Sequence, residues 1–417
     1  MYNSHYFSSA FTIINPEEKI SLSGYNNRPE PFSKIGMDLE ANLFSIKNNN
    51  GRLDILSLDT LFFNENIFEY NNLADTSNIF AGASHTHFAP SIDDTKKNLG
   101  TTNKAYFEKT QSQIFDLLKN EPDQTLHKIE YFSLNPKLTI NRRRKTILYH
   151  LNPFRWKSYI ELKPDYFGRT NNTIHILLFK NDKNQVISII WSLACHPTIW
   201  PAKNEVSSDF IGTIRLKLRE KYGQIPILFF QGLSGNIWAN IVPFQWNIKN
   251  IKQELLKQPN EFIPYTEDQY HNWSNNLANE IINTLISEKP LKVKPHLYLK
   301  KIKIPLTQII DKPIYGINDL TICEFNLSDN IKIIGFSAEP VVQYYDIIKR
   351  IYKDNLIIPV GCIGTTFGYL PTNKMIKEGG YESDGFFKIF GYNSSFKKNI
   401  EKIIIKALKK LKDNNNF

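Results

Sequence analysis

A short apolar strand that runs directly into two histidines constrains this chain more than any other stretch. Asn78-Ile79-Phe80-Ala81-Gly82 is followed by Ala83-Ser84-His85-Thr86-His87-Phe88-Ala89-Pro90. Side chains at i and i+2 of a strand point to the same face. His85 and His87 are therefore expected side by side at the strand's end, a common beginning for a metal site. Neutral imidazole suits zinc. Two histidines at that spacing are also an ordinary polar strand end, so the metal reading needs ligands from elsewhere in the chain.

Three later segments offer them. Val186-Ile187-Ser188-Ile189-Ile190 reads as a buried strand, and it leads into Trp191-Ser192-Leu193-Ala194-Cys195-His196-Pro197. His196 stands where that strand ends, a position also open to a satisfied core histidine. Ile331-Lys332-Ile333-Ile334-Gly335 precedes Phe336-Ser337-Ala338-Glu339-Pro340. Pro340 is expected to open a helix, and a carboxylate at a helix N-terminus is stabilised without any metal. Last, Phe367-Gly368-Tyr369-Leu370-Pro371-Thr372 is a turn after the apolar Leu356 to Val360. Its tyrosine alone reads as a core or rim aromatic.

Strands are expected at 43–46, 53–58, 174–179, 186–190, 227–230, 331–336 and 356–360. Helices are expected at 104–119, 209–221, 267–286, 340–352 and 397–412, the third on its stripe of Trp273, Leu277, Ile281, Ile282 and Leu285. Strands alternating with helices predict an α/β fold, a layered mixed β-sheet with flanking helices. The candidate ligands fall at strand ends, the usual place for sites in such folds. Residues 149–170, aromatic and proline-containing without a clear period, read as a lid or cleft wall. No internal repeat is present.

Taken in order, the four segments resemble the neutral ceramidase family, zinc-dependent amidases that hydrolyse the N-acyl bond of ceramide. His85-Thr86-His87-Phe88-Ala89-Pro90 is similar to the family's His-Thr-His-Ser-Gly-Pro. Ala194-Cys195-His196-Pro197-Thr198, with Ser207-Ser208-Asp209-Phe210-Ile211-Gly212, is similar to its second histidine segment. Ser337-Ala338-Glu339-Pro340 and Tyr369-Leu370-Pro371-Thr372 resemble its glutamate and tyrosine segments. Ser23-Gly24-Tyr25 and Ile55-Leu56-Ser57-Leu58-Asp59 resemble its opening strands. The resemblance runs from about residue 9 to about residue 410.

It implies one zinc ion per chain on His85, His196, Glu339 and Tyr369, with His87 beside the metal as base. Arg142, in Ile140-Asn141-Arg142-Arg143, falls on a family arginine that faces substrate. Tyr381, in Gly379-Gly380-Tyr381-Glu382, falls on a tyrosine that helps hold the reacting carbonyl. The residue types suit amide hydrolysis: zinc activates water and polarises the carbonyl, a neutral histidine moves the proton, and Arg142 with Tyr381 stabilises the oxyanion. Tyr369 would bind as tyrosinate or as a weak ligand, and a dication favours the former.

One departure bears on substrate. Gly232-Leu233-Ser234-Gly235-Asn236-Ile237-Trp238-Ala239-Asn240 resembles a family segment whose serine falls on Trp238 and whose proline falls on Ala239. A serine nucleophile is thereby disfavoured, a zinc–water route survives, and the indole reshapes the cleft away from ceramide itself. Ser234 reads as part of the glycine-flanked loop.

Composition places the chain among soluble enzymes. Its 417 residues, 41% hydrophobic and 13% aromatic, exclude general disorder and allow a large core. No run of about 18 apolar residues suggests a membrane span, and residues 1–5 show no secretory signal. Family members mostly carry a C-terminal sandwich domain, and 1–417 ends before one. The expectation is a single catalytic domain in the cytoplasm. Cys195, Cys323 and Cys362 form no CxxC pair and read as buried thiols; Cys195, pointing opposite to His196, packs in the core.

The net charge of +10 concentrates in Arg142-Arg143-Arg144-Lys145 and in Lys397 to Lys412. The terminal stretch has helical apolar spacing; such a helix more often packs on its domain, while peripheral membrane contact stays open. No nucleic-acid motif accompanies the charge. The expected partner is a small N-acyl amide, and the oligomeric state is undetermined. Two other readings remain: an esterase or lactonase on the same zinc site, and a relative that binds a ligand without turnover.

Overall fold

The computed structural model describes residues 5–25, 28–48, 51–69, 78–148, 157–258 and 265–413. In chain order its first strands are β1 (Tyr6–Ile13), β2 (Glu40–Asn48), β3 (Gly51–Leu58), β4 (Ile79–Ala83), β5 (Gln124–Leu134) and β6 (Thr139–Leu148). Next come β7 (Lys157–Asp165), β8 (Ile174–Asn181), β9 (Val186–Leu193), β10 (Ile227–Gln231), β11 (Ile237–Ala239) and β12 (Leu291–Val293). The last are β13 (Tyr298–Pro305), β14 (Asp319–Asn326), β15 (Ile331–Phe336), β16 (Glu339–Pro340), β17 (Leu356–Val360) and β18 (Tyr369–Leu370). The helices are α1 (Lys104–Leu118), α2 (Phe210–Tyr222), α3 (Ile248–Leu255), α4 (Glu267–Ser287), α5 (Tyr344–Ile351), α6 (Asn373–Glu378), α7 (Phe386–Phe390) and α8 (Ile400–Asp413).

Two sheets and two helical layers make up the core. A nine-stranded mixed sheet has the order β10-β9-β8-β5-β1-β2-β3-β4, with β12 added beside β5; a second sheet has the order β13-β14-β15-β17. The strands alternate between two apolar environments. Leu177 and Phe179 of β8, Ile190 of β9 and Phe230 of β10 pack between the sheets with Phe325, Ile333, Ile358 and Val360. Their neighbours Ile176, Leu178, Ile189, Trp191 and Phe229 pack on the other side with Phe210 and Ile214 of α2 and Trp273, Leu277 and Ile281 of α4. On the far side of the second sheet, Ile322, Ile334 and Phe336 meet Ile348 of α5 and Ile404 and Leu408 of α8. Strands covered on both faces must be apolar throughout, which is why they read as continuous β-branched runs.

The layered mixed α/β architecture is thus the one expected, and α8 spends its apolar face on the domain. Among the described residues, no helix is long and apolar enough to cross a membrane.

One local expectation is corrected, and another falls partly outside the described residues. The helix after Glu339 begins at Tyr344, not at Pro340, because Glu339–Pro340 forms strand β16. Glu339 N–H donates to Gly368 O at 2.8 Å and Val341 N–H to Leu370 O at 3.2 Å, a parallel pairing with β18. Proline, lacking an N–H, is tolerated in so short a strand. In the suggested lid, 149–156 lies outside the described residues, and 157–165 is β7, paired antiparallel with β6.

The nine-stranded sheet coils so that its ends approach one another. A Cβ on Gly82 of β4 would lie 2.7 Å from the ring of Phe230 in β10, and the Phe80 and Phe230 rings are 5.1 Å apart. This closure brings the C-terminal ends of β4 and β9, and the histidines beyond them, to one place.

Candidate metal centre

Neither His85 nor His87 lies on the strand, as the i, i+2 reading had placed them. β4 ends at Ala83, and His85 turns the chain with a left-handed φ of 67°. The turn is fixed by Ser84 N–H to Leu58 O at 2.8 Å and His85 N–H to Thr60 O at 2.9 Å. The two imidazoles are neighbours all the same, with ring centres 5.1 Å apart and planes at 83°. His196 follows β9, its N–H donating to Ile237 O at 3.1 Å. Asp209 holds the loop beyond it, accepting from Ile199 N–H at 2.8 Å and Phe210 N–H at 2.6 Å. Burial pushes the Asp209 carboxyl up to about 7. Glu339 and Tyr369 are register partners in the β16–β18 pair.

These residues converge on one buried point. Glu339 Oε2 is 3.0 Å from His85 Nε2 and 3.2 Å from His196 Nε2. Tyr369 Oη is 3.3 Å from His196 Nε2. The ligand atoms of His85, His87 and His196 all lie within 4.8 Å of one another, so the three imidazoles could hold a metal ion.

The second ring nitrogens decide what the first can do. His85 Nδ1 faces Leu61 O at 3.1 Å, and His196 Nδ1 faces Ser234 O at 2.8 Å. Each Nδ1 must carry a proton to donate to its carbonyl, which leaves each Nε2 a lone pair turned toward Glu339 when the ring is neutral. A backbone carbonyl behind the imidazole is the usual support of a metal-ligating histidine. Lone pairs facing a carboxylate repel unless a cation or a proton lies between them. His85 Nε2 is close to Glu339 but not aligned as a hydrogen bond, and Glu339 Oε1 has no partner. Imidazole nitrogens with a carboxylate and a phenol oxygen form a donor set that fits zinc.

The electrostatics follow from the same packing. Burial opposes charge on Glu339, yet His85 and His196 outweigh it and hold its carboxyl well below the usual range. Burial likewise opposes a proton on His85, and Glu339 with Cys362 overrides it, raising the imidazole well above its ordinary value. Burial, then Arg142, lowers His196 to about 3. His87 is held well below its ordinary value by burial and by His85 and His196, so its ring is neutral. Neither of its nitrogens has a hydrogen-bond partner.

Arg142, Tyr381 and Tyr369 form the facing wall. Arg142 Nη2 donates to Tyr369 Oη at 3.0 Å and to Gly235 O at 2.8 Å; its Nε donates to Glu382 Oε1 at 3.2 Å. The guanidinium carbon lies 5.4 Å from the Trp238 ring centre and 5.7 Å from that of Tyr381. The Tyr369 and Tyr381 rings are 5.2 Å apart. Burial and the nearby Glu339 raise both phenols above their ordinary value.

Three residues here had no role at the site in the sequence reading. Glu382 also binds Arg143 Nη1 at 3.2 Å. Cys362, left-handed at φ 54°, interacts with His85 through its thiol. Arg28 donates to His87 O at 2.5 Å. Only a map of three-dimensional neighbours would have singled them out. Cys195 is buried in the apolar cluster that holds Trp191, Phe210 and Trp273, although it lies past the end of β9 and not on the strand.

No protein-family model matches the chain, and no curated protein matches it in sequence. Among solved structures it is similar to neutral ceramidase from Pseudomonas aeruginosa, at a TM-score of 0.72 and 14% identity, covering 98% of this chain and 74% of that one. It is also similar to a ceramidase complexed with C2, at a TM-score of 0.71 and 13% identity, covering 98% and 75%. The fold is ceramidase-like. At such identity the likeness concerns the fold alone.

Proposed function

We propose that this chain is a zinc-dependent hydrolase that cleaves a linear N-acyl amide bond, with one zinc ion per chain on His85, His196, Glu339 and Tyr369. The observation that carries the reading is the convergence of Glu339 Oε2 with two imidazole Nε2 atoms whose opposite nitrogens are fixed on backbone carbonyls. The ceramidase-like fold and the ordered motif resemblance support it. A zinc ion in that position supplies Lewis acidity and lowers the pKa of adjacent water to about 7.

The protein groups divide the remaining work. His87, neutral and without a hydrogen-bond partner, is suited to take a proton from water and return it to the leaving amine nitrogen. Arg142 is held on Glu382 and the Gly235 carbonyl, so its charge is in place before the carbonyl oxygen becomes negative. Tyr381 keeps its phenolic proton, because burial and Glu339 oppose its loss; it can donate that hydrogen to the same oxygen. Trp238 stands against Arg142, which favours an acyl or amine group other than that of ceramide.

The test is a panel of N-acyl amides, matched esters and lactones, each assayed with native, chelator-stripped and zinc-restored protein. Amide cleavage that disappears on stripping and returns with zinc is expected. Turnover indifferent to the metal, or confined to esters and lactones, overturns the amidase reading.

A further inference from the structure

Arg28 stands apart from the other arginines of this fold. Among the described residues, every other arginine that is buried or half-buried is paired with a carboxylate. Arg142 and Arg143 take Glu382, Arg144 takes Glu254, Arg215 takes Asp59, Arg219 takes Glu40 and Arg52 takes Asp54. Arg28 is half-buried, and its acceptors are backbone carbonyls. Its Nη2 donates to Ser23 O, and to His87 O at 2.5 Å; its Nη1 donates to Lys203 O at 2.5 Å. Three of its five N–H groups are engaged in this way, and the Nε–H is buried without a partner. Burial lowers the guanidinium to about 10. A cation withdrawn from water ordinarily sits against an anion, and two unclaimed N–H groups match the two oxygens of a carboxylate.

This cation lies where the candidate centre meets solvent. His85, His196, Glu339, Tyr369 and Arg142 are buried, whereas His87, Trp238 and Tyr381 are only partly so. Arg28 is bonded to the backbone of His87. The Tyr25 ring joins the two, 5.0 Å from the imidazole and 5.2 Å from the guanidinium carbon. Lys203, exposed, brings its Nζ to 5.9 Å from the same ring. Glu205 in that loop is already engaged, by Lys34 Nζ at 3.2 Å and Trp200 Nε1 at 3.3 Å. Two cations thus stand beside His87 without a carboxylate partner among the described residues.

We infer that Arg28, assisted by Lys203, receives a carboxylate on the amine half of the substrate, which makes N-acyl α-amino acids the substrate class. The substrate class rests on the amidase reading above; the carboxylate contact does not. In that reading His87 returns a proton to the leaving nitrogen, while Arg142 and Tyr381 face the carbonyl oxygen. The amine half is therefore the part that lies toward His87. In an N-acyl α-amino acid a single carbon separates that nitrogen from the carboxylate, which suits a cation bonded to the backbone of the residue that serves the nitrogen. Hydrolysis breaks the C–N bond, places the water oxygen on the acyl carbon and a water proton on the nitrogen, and releases a carboxylic acid and a free amino acid. The planar fork of arginine recognises the carboxylate's shape as well as its charge.

The experiment compares an N-acylglycine with the N-acylglycinamide of the same short acyl chain, a pair that differs in the carboxylate alone. The ratio of kcat/KM is measured with zinc-loaded protein, and the ratio of affinities by calorimetry with chelator-stripped protein. Wild type is expected to favour the carboxylate by about 10- to 100-fold in both readouts, the range of a charge-assisted hydrogen bond. Arg28→Gln should bring the ratio close to one. Arg28→Lys should keep part of it, and Lys203→Glu should lower it by roughly threefold or more. If Arg28 only clasps the backbone around it, Arg28→Gln depresses both compounds alike and the ratio stays; that result overturns the inference, as does a wild-type ratio near one. Should Arg28→Gln not fold, a wild-type ratio in both Arg28→Lys and Lys203→Glu overturns it. Equal hydrolysis of the two compounds removes the carboxylate contact and leaves the amidase. Selective binding of the N-acylglycine without hydrolysis of any amide supports the contact and removes the amidase reading.

Discussion

His85 occupies a left-handed backbone conformation that costs a residue with a Cβ on the order of 1 kcal/mol. The surroundings enforce it, because its N–H, its Nδ1 and its Nε2 each face a fixed group. His87 is placed by contact instead: a Cβ on Gly24, where φ is 107°, would lie 2.7 Å from its Nδ1. Gly24→Ala should therefore displace His87 and reduce kcat by about 10²-fold, with bound metal unchanged; unchanged kcat would remove His87 from the proton path. A second expectation concerns His175, buried with its Nδ1 2.9 Å from the Tyr131 hydroxyl and lowered by burial to about 4. Its folded value lies below the unfolded one, so between about 6.5 and 4 the unfolded chain binds a proton that the folded chain refuses. Stability present above pH 6.5 is lost as pH falls through this window, by up to about 3 kcal/mol. Urea titrations at pH 7 and pH 4.5 should show a smaller loss in His175→Gln than in wild type; equal losses would contradict the assignment.

At the scale of elements, the structure shows which segments carry their own signal. β8, β9, β10, β15 and β17 are buried on both faces, and their apolar runs announced them. β6 was hidden because Arg142-Arg143-Arg144 looks like a solvated charge cluster. All three arginines are buried, and their acceptors come from far along the chain: Glu382 is 240 residues from Arg142, and Glu254 is 110 from Arg144. No local pattern encodes such pairs. The β16–β18 pairing was hidden for a related reason, since a two-residue strand has no periodicity, and Pro340 reads locally as a helix start. The turn at Tyr381–Gly385 is π-helical, a form often found at functional sites. It sets Tyr381 beside Tyr369 and Glu382 under Arg142 and Arg143. Glu382→Gln should lower kcat by about 10²-fold through loss of Arg142 placement, while KM and metal content change little. A fall in metal content equal to the fall in kcat would make Glu382 a structural residue only.

For the molecule as a whole, the ends of two strands in one coiled sheet and a small parallel pair outside it meet at a single buried point. The histidines, glutamate and tyrosine were singled out by an ordered motif resemblance, since each alone read as a strand end, a helix start or a core aromatic. Their mutual distances, the carbonyls behind the imidazoles and the arginine–glutamate wall come only from closure of the fold. If the proposed zinc binds among these side chains, it should stabilise the centre as a unit. At free zinc about 100-fold above its Kd, binding adds roughly 2.7 kcal/mol, or about 3 °C in Tm for a chain of this length. Calorimetry of stripped and zinc-restored protein checks this, and an unchanged Tm would count against the site. The most direct test is the zinc content of purified wild-type protein beside His85→Ala and Glu339→Gln. The account expects close to one zinc per wild-type chain and almost none in either variant. Wild-type protein that is metal-free and fails to take up added zinc would contradict it.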